Sequence, residues 1–204
     1  MGSPLSRLMK KRMTGRMVSL TRSTLPSNVP LLTVAKDHLA VETSASDTLL
    51  QRFIDAAVKY VEDVSRMSMF TQVRTLVLDS FPNEYFIQLY SKPIILVTSF
   101  TTYDELDAPT TTFTDYSLDI PGTRLLLNYG FQWPVDLRVN SAVKIVYQTG
   151  HGLTAATLPP TLVQAVMLLV GHWYQNREAG GCLVTPELAY GVADIIGIER
   201  EHRL

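Results

Sequence analysis

The histidines and the cysteine are the residues of this 204-residue chain with the most recognisable chemistry. His38, His151, His172 and His202 lie far apart, and none forms the i, i+4 pair that holds a metal ion on a helix. Cys182 stands alone, which excludes a disulfide framework and a zinc site built on cysteine pairs. No spacing of serine or cysteine with histidine and an acid indicates a nucleophilic triad. The sequence therefore predicts no metal site, no cofactor and no enzyme.

Three other short patterns have simple structural explanations. Residues 150–152 read Gly-His-Gly, which matches no phosphate-binding loop and predicts a turn with positive φ. The acidic turn at residues 104–107 could bind calcium weakly, but a solvated hairpin tip explains it better. The aromatic residues between 85 and 90 could stack on single-stranded bases, although packing within a sheet is the simpler interpretation.

The N-terminal segment is strongly basic, and we call residues 1–30 the basic arm. No acidic residue precedes Asp37, whereas the chain from that residue onward carries 11 basic and 19 acidic residues. The arm's basic residues, which are its candidate contact residues, are Arg7, Lys10, Lys11, Arg12, Arg16 and Arg22. Such a segment binds phosphates or an acidic protein surface, so a nucleic-acid-binding module is the alternative function.

The conformation of the arm is left open by its sequence. Its apolar residues, from Leu5 to Leu20, recur at roughly helical spacing and could form an amphipathic helix on a partner. Disorder in isolation, or a translation start at Met13 or Met17, are equally compatible alternatives. The N-terminus lacks the apolar run of a signal peptide. The sequence contains no run of about 18 apolar residues, so no membrane span is predicted.

Two amphipathic segments predict the main helices. Apolar residues repeat at steps of three and four from Leu50 to Val64, which predicts a helix capped by Ser46 or Asp47 and ending near Ser65. Residues 159–160 are both proline and introduce a strongly apolar helix from Thr161 to about residue 177. Short helices are expected from residue 34, with Thr33 as N-cap, to about residue 39, and at about residues 190–196.

The segment between the main helices has the pattern of an antiparallel β region. Runs rich in Val, Ile, Thr, Tyr and Phe alternate with turns, and no helical pattern separates them as parallel strands would require. The predicted strands are 72–78, 85–89, 95–103, 111–118, 124–127 and 142–148. The predicted fold class is therefore α+β, a bundle of two main helices plus short helices with an inserted antiparallel β subdomain at about residues 72–148.

The order of these elements resembles a known family. The motifs that carry the resemblance are AAVKYVEDVS at 56–65, TQVRTLVLDSFP at 71–82, LYSKPIILVTSFTTYD at 89–104, FTDYSLDI at 113–120, NYGFQWP at 128–134, AVKIVYQTGHG at 142–152 and LPPTLVQAVMLLVGHWYQNREA at 158–179. Over residues 31–180 the chain is similar to the head–tail connector (head-completion adaptor) proteins of tailed phages. This divides the chain into the basic arm (1–30), a connector domain (31–185) and a C-terminal tail (186–204).

The resemblance implies a structural role in a virion neck, assembled in the bacterial cytoplasm. Such proteins form a homo-oligomeric ring, usually a dodecamer, beneath the portal protein, and offer a platform to a tail or stopper protein. Double-stranded DNA passes through the channel without specific recognition. The particle could be a phage, a defective prophage or a gene-transfer particle. We expect no membrane partner. The basic arm is expected to contact the portal or a neighbouring subunit in preference to DNA.

Two further sets of contact residues follow from the resemblance. The C-terminal tail is expected at the portal interface, and deleting residues 187–204 is expected to leave the fold intact. The tail residues in question are Pro186, Tyr190, Ile195, Ile196, Ile198, Arg200, Arg203 and Leu204. Because the helix at 160–177 is apolar on most of its surface, a neighbouring subunit is expected to cover Met167, Val170 and Tyr174.

Overall fold

The computed structural model describes residues 17–22, 29–110, 113–121, 123–176, 191–192 and 194–197. These residues belong to two compact units. The β unit comprises Val73–Tyr90, Ile94–Thr149 and the N-terminal strand, and the helical unit comprises the rest. The predicted α+β class is confirmed. None of the described helices is long and apolar enough to cross a membrane.

The helical unit contains three named helices, α1 (Leu32–Leu39), α2 (Asp47–Ser65) and α3 (Pro160–Gln175). Residues 191–192 and 194–197 are also helical. The bounds of α2 are those predicted, because its apolar residues repeat over about four turns. Proline stands in the first turn of α3, where a backbone N–H has no partner within the helix.

The start of α1 differs from the prediction. The N-cap is Leu31, not Thr33, and no side chain caps the helix through a hydrogen bond. The backbone N–H of Ala35 instead donates to the carbonyl of Leu31, at 2.9 Å. The Thr33 prediction was therefore wrong, because Leu31 is fully buried and fixes the start of the helix by packing. Ala40 adopts a left-handed φ of 52° and ends α1.

A single apolar core lies within the helical unit. Leu50, Ile54 and Val58 of α2 face Leu162 and Val166 of α3, and all five side chains are fully buried. Short helix α1 contributes to the same cluster. Val192 and Ile196, from the C-terminal helical segment, are also part of it. The apolar character of α3 is thus largely explained by packing within its own unit.

A buried carboxylate fixes the segment that follows α2. Glu62 is 2% exposed and accepts hydrogen bonds from the backbone N–H of Met69, at 2.7 Å, and from Nε2 of Gln72, at 2.9 Å. These bonds offset the cost of removing the carboxylate from water.

The predicted positive φ values in the Gly-His-Gly segment are confirmed at Gly150 and Gly152. A Cβ on Gly150 would approach the carbonyl oxygen of Phe70 to 2.3 Å, so this approach requires glycine.

The described residues of the β unit form eight strands in two sheets. The strands are β1 (Met17–Arg22), β2 (Gln72–Leu78), β3 (Phe86–Gln88), β4 (Ile94–Tyr103), β5 (Pro109–Thr110), β6 (Tyr116–Asp119), β7 (Arg124–Leu127) and β8 (Val143–Thr149). A five-stranded sheet has the order β1-β2-β8-β4-β5, and a three-stranded sheet has the order β3-β7-β6. Strands β2 and β8 alternate buried and less buried residues, as expected for sheets covered on one face.

Two predictions in this unit were incomplete. The segment 17–22, assigned to the arm, is an antiparallel edge strand in which Leu20 pairs with Leu76. Of the predicted strand 111–118, residues 116–118 belong to β6 and residues 113–115 have no regular structure, while residues 111–112 lie outside the described part of the chain. Phe113 instead donates its N–H to the carbonyl of Phe100, at 2.9 Å, and its ring packs 5.2 Å from the Phe100 ring. Aromatic packing thus decides the local backbone path.

Candidate functional site

The connection between β7 and β8, residues 128–142, is a long irregular segment, and a tryptophan holds its first half against the β unit. The indole ring of Trp133 stacks on Phe81 with centroids 4.7 Å apart and planes 7° apart. Its Nε1–H donates to the carbonyl of Glu84, at 2.8 Å. The same indole also lies near Phe100 and Phe113. A ring stack and a directed hydrogen bond together give this residue one orientation, so the connection is an ordered part of the surface.

An arginine attaches the second half of the same connection. The guanidinium carbon of Arg138 lies 4.0 Å from the ring centroid of Tyr103. Its Nη2 donates to the carbonyl of Ser141, at 2.7 Å, and its Nη1 lies 3.3 Å from Oδ1 of Asp107. Because Asp107 is largely exposed, the ion pair contributes little, whereas the cation–π contact and the carbonyl bond set the position of the side chain.

Between these attachments the connection exposes apolar side chains. Tyr129 is fully exposed, Val135 and Val139 are 87% and 71% exposed, and Phe131 is about half exposed. Tyr129 and Phe131, together with Tyr85, which precedes β3 and is 77% exposed, form what we call the loop surface. Ordered aromatic side chains that remain in water are typical of protein contact surfaces, because their burial on binding costs little conformational entropy.

Part of the loop surface is concave. Tyr85, Tyr129 and Phe131 line a shallow depression with Leu127 and Gly130. Gly130 has a φ of 85° in a position with open space around it, which allows the chain to turn there. Asn128 and Gln132 complete the lining, so the depression combines aromatic rings with amide side chains.

The titratable side chains of the described residues do not form a candidate metal site. No group of three or more His, Cys, Asp or Glu side chains in that part of the chain could hold a metal ion. Burial raises the pKa of the Tyr116 hydroxyl, which packs in the aromatic cluster beside Phe100.

In the acidic turn, Oδ1 of Asp104 accepts hydrogen bonds from the N–H groups of Leu106 and Ala108, each at 2.9 Å, as in a self-contained hairpin tip.

The structure separates the residues expected on α3. Met167 and Val170 are 2% and 0% exposed, because the core of the helical unit already encloses them. They leave a neighbouring subunit no surface to cover, so packing within the subunit replaces the expected contact at these two positions. Tyr174 is half-buried, packs at the edge of that core and stays a prediction.

Two of the predicted tail residues, Ile195 and Ile196, pack in the helical unit. Ile196 is 1% exposed within the core of the helical unit, and Ile195 is half-buried against it. Because Val192 is also buried there, deleting residues 187–204 would remove part of the core, contrary to our expectation of an intact fold. The tail residues outside the described part of the chain are Pro186, Tyr190, Ile198, Arg200, Arg203 and Leu204.

Of the basic-arm candidates, the structure describes Arg22 alone, at the end of β1 and opposite Arg74 on β2. The arm residues outside the described part of the chain are Arg7, Lys10, Lys11, Arg12 and Arg16.

The loop surface was not among the predicted site residues. Its signal in the sequence is an alternation of apolar and polar residues at 127–139 that Gly130 and Pro134 interrupt, which disfavours a strand.

Known proteins share the sequence pattern and the fold of this chain. Residues 31–180 match the sequence model of a family described as "Head completion protein". Similar folds occur in chains of three solved structures. The first is described as "Neck of empty GTA particle computed with C6 symmetry" (TM-score 0.77, 24% identity), the second as "Virion of native gene transfer agent (GTA) particle" (0.76, 22%) and the third as "Neck of native GTA particle computed with C12 symmetry" (0.73, 23%). Each similarity covers 92% of this chain and 97% of the other. No curated protein sequence matches significantly.

Proposed function

Because the chain belongs to the head completion protein family, we propose that it is a structural subunit of the neck that joins head and tail in a tailed phage or phage-like particle. The observation that carries this proposal is the extent of the family match. It runs from the start of α1 to just beyond α3, so it includes both units. The similarity in fold to neck chains of gene transfer agent particles supports the same role.

The proposed assembly is a homo-oligomeric ring, with twelve subunits as the expected number. The neck structures that share this fold were computed with sixfold and twelvefold symmetry, which supports a cyclic arrangement. In a closed ring every subunit uses two different complementary faces. On α3, Tyr174 is the predicted contributor to one of these faces.

The proposed partners are the portal protein on one side and a tail or stopper protein on the other. The loop surface supplies exposed, ordered aromatic side chains for one of these contacts. The C-terminal tail beyond residue 197 is proposed for the portal contact. Between residues 73 and 149 the chain has eight acidic and five basic residues. This excess of acid supports a channel that lets DNA pass without holding its phosphates.

The role is proposed to be structural and not enzymatic. The described part of the chain presents apolar contact residues where an enzyme would present convergent polar groups. The family description, head completion, names an assembly step and supports this assignment.

Mixing the purified full chain with the portal protein of the same particle tests the proposal. We expect the chain alone to sediment as a monomer at low concentration and to form rings on the portal, visible by negative-stain microscopy. Failure to bind the portal under all conditions of salt and concentration would overturn the neck assignment.

The contribution of the loop surface can be tested separately. We expect Tyr129→Ser with Phe131→Ser to reduce the fraction of heads that carry tails, counted by negative stain. The matched control is Tyr60→Ser, which removes a half-exposed tyrosine from α2 and should leave tail joining unchanged. If both variants join tails equally well, the loop surface is not a neck contact.

The C-terminal contact requires a shorter truncation than the sequence suggested. Removing residues 198–204 retains Val192 and Ile196 in the core while deleting Ile198, Arg200, Arg203 and Leu204. We expect this truncated chain to unfold like the wild type but to lose portal binding. Unchanged portal binding would exclude the tail from that interface.

The alternative, a nucleic-acid-binding module, depends on the basic arm. It predicts binding of duplex DNA that falls steeply with salt and disappears when residues 1–16 are deleted. This deletion leaves β1 in place, so it tests the arm without disturbing the sheet.

A further inference from the structure

One end of the five-stranded sheet combines acidic and exposed apolar side chains. The backbone N–H of Ser141, before β8, donates to Oδ1 of Asp79, after β2, at 2.9 Å. The N–H of Arg138 donates to the carbonyl of Tyr103, at the end of β4. These bonds place the end of β2, the start of β8, the end of β4 and the acidic turn side by side.

We call this surface the acidic end. Its acidic members are Asp79, Asp104, Glu105, Asp107 and Asp136. Arg138 lies among them, and Lys144, the second residue of β8, is exposed near them, so five acidic residues accompany two basic ones. Glu105 and Asp136 are exposed, so their charges face solvent. The surface therefore carries a marked excess of negative charge.

Exposed apolar side chains accompany these acids. Leu106 is 88% exposed at the tip of the acidic turn, and Val135 directly precedes Asp136. Val139 follows Arg138 and is also largely exposed. A surface that alternates exposed carboxylates and exposed aliphatic groups suits a segment that is both basic and apolar.

The chain supplies such a segment, and β1 fixes where it starts. Met17, the first residue of β1, pairs with Leu78, which directly precedes Asp79, so β1 begins at the acidic end. Sixteen residues precede Met17, with a maximum reach of about 50 Å. They contain five basic residues, no acid, and the apolar residues Leu5, Leu8, Met9 and Met13.

From this position, length and charge, we propose that residues 1–16 bind the acidic end of the β unit in the same chain. Lys10, Lys11 and Arg12 meet the exposed carboxylates, and the neighbouring leucine and methionine side chains cover the exposed aliphatic groups. Each exposed charge pair is weak alone, but the covalent link through β1 gives the arm a high effective concentration at this surface. The contact is independent of the neck assignment.

Zero-length carbodiimide cross-linking of the full chain tests which surface the arm contacts. At a concentration where the protein sediments as a monomer, we expect mass spectrometry to find Lys10 or Lys11 joined to Glu105, Asp107 or Asp136 within one molecule. Cross-links that join different molecules, or that connect these lysines to acids of the helical unit, would overturn the proposal.

Limited trypsin digestion tests the same contact by measuring how fast residues 7–16 are cleaved when acidic side chains of the acidic end are neutralised. We expect Glu105→Gln with Asp136→Asn to raise the rate of cleavage within residues 7–16 by about fivefold, and about 500 mM NaCl to do the same to the wild type. The matched control, Asp37→Asn with Glu42→Gln, removes two exposed charges from the helical unit and should leave the rate unchanged. Equal rates in all three proteins would overturn the proposal.

Discussion

The helical unit and the β unit use their apolar residues in different ways. The helical unit encloses most of them, so that even the strongly apolar α3 buries Met167 and Val170 in its own core. The β unit has an aromatic core as well, but it also leaves Tyr129 and Phe131 exposed on an ordered connection. The difference teaches that apolar composition alone does not identify a contact surface. A contact surface is recognised where apolar side chains are both exposed and held in place.

The largest change in stability that we expect distinguishes a buried leucine from an exposed one within the helical unit. Leu162→Ala should lower the free energy of unfolding by about 3 kcal/mol, because it leaves a cavity between α2 and α3. Leu153→Ala, at a position 68% exposed, should change it by less than about 0.5 kcal/mol. Urea denaturation followed by circular dichroism measures both. Equal losses would contradict the enclosed core described for this unit.

A smaller effect tests how the connection of the β unit is held. Trp133→Phe keeps an aromatic ring against Phe81 but loses the hydrogen bond to the carbonyl of Glu84, which should cost about 1 kcal/mol. Hydrogen exchange should become faster mainly within residues 128–141. Faster exchange spread evenly over the β unit would mean that Trp133 supports the whole sheet and not this connection.

A pH dependence distinguishes the aromatic cluster of the β unit from the helical core. Burial raises the pKa of Tyr116, so the folded state keeps its proton more tightly than the unfolded chain. This contribution to stability is complete below the ordinary pKa of 10.0 and is lost as the pH rises above it. Urea unfolding at about pH 9 and about pH 11 should show a smaller alkaline loss for Tyr116→Phe than for the wild type. An identical loss in both proteins would contradict the assigned cause.

The smallest expected effect on stability belongs to the loop surface itself. Tyr129→Ser with Phe131→Ser should change the free energy of unfolding by less than about 0.5 kcal/mol, because Tyr129 is fully and Phe131 half exposed. Thermal unfolding of this double variant beside the wild type measures it. A large loss of stability would show that the two rings support the fold, and would weaken their assignment as contact residues.

The sequence predicted the elements whose pattern is local. Helix α2 repeats its apolar residues over its whole length, and β2 and β7 have the predicted bounds, because turn residues delimit them. The elements that depend on distant partners were missed. Strand β1 contains residues that suit a helix equally well, and pairing with β2 decides its conformation. Leu31 begins α1 through tertiary packing, which no capping pattern indicates.

The candidate site was less predictable than the fold. Whether Met167 or Tyr129 is exposed depends on what the rest of the chain places against it, and both are compatible with a contact surface in sequence alone. The resemblance over residues 31–180 identified the family correctly, but it did not separate residues that pack within the subunit from residues that remain exposed.

The attachment of the connection by Trp133 has a consequence for the kinetics of assembly. Because the loop surface is ordered before a partner arrives, binding requires no folding step, and its association rate is set by diffusion and orientation. Under the proposed neck contact, loss of an exposed aromatic ring would then shorten the lifetime of the joined neck far more than it would slow joining. Time-resolved binding of the loop-surface variant should therefore show a faster dissociation rate and a nearly unchanged association rate.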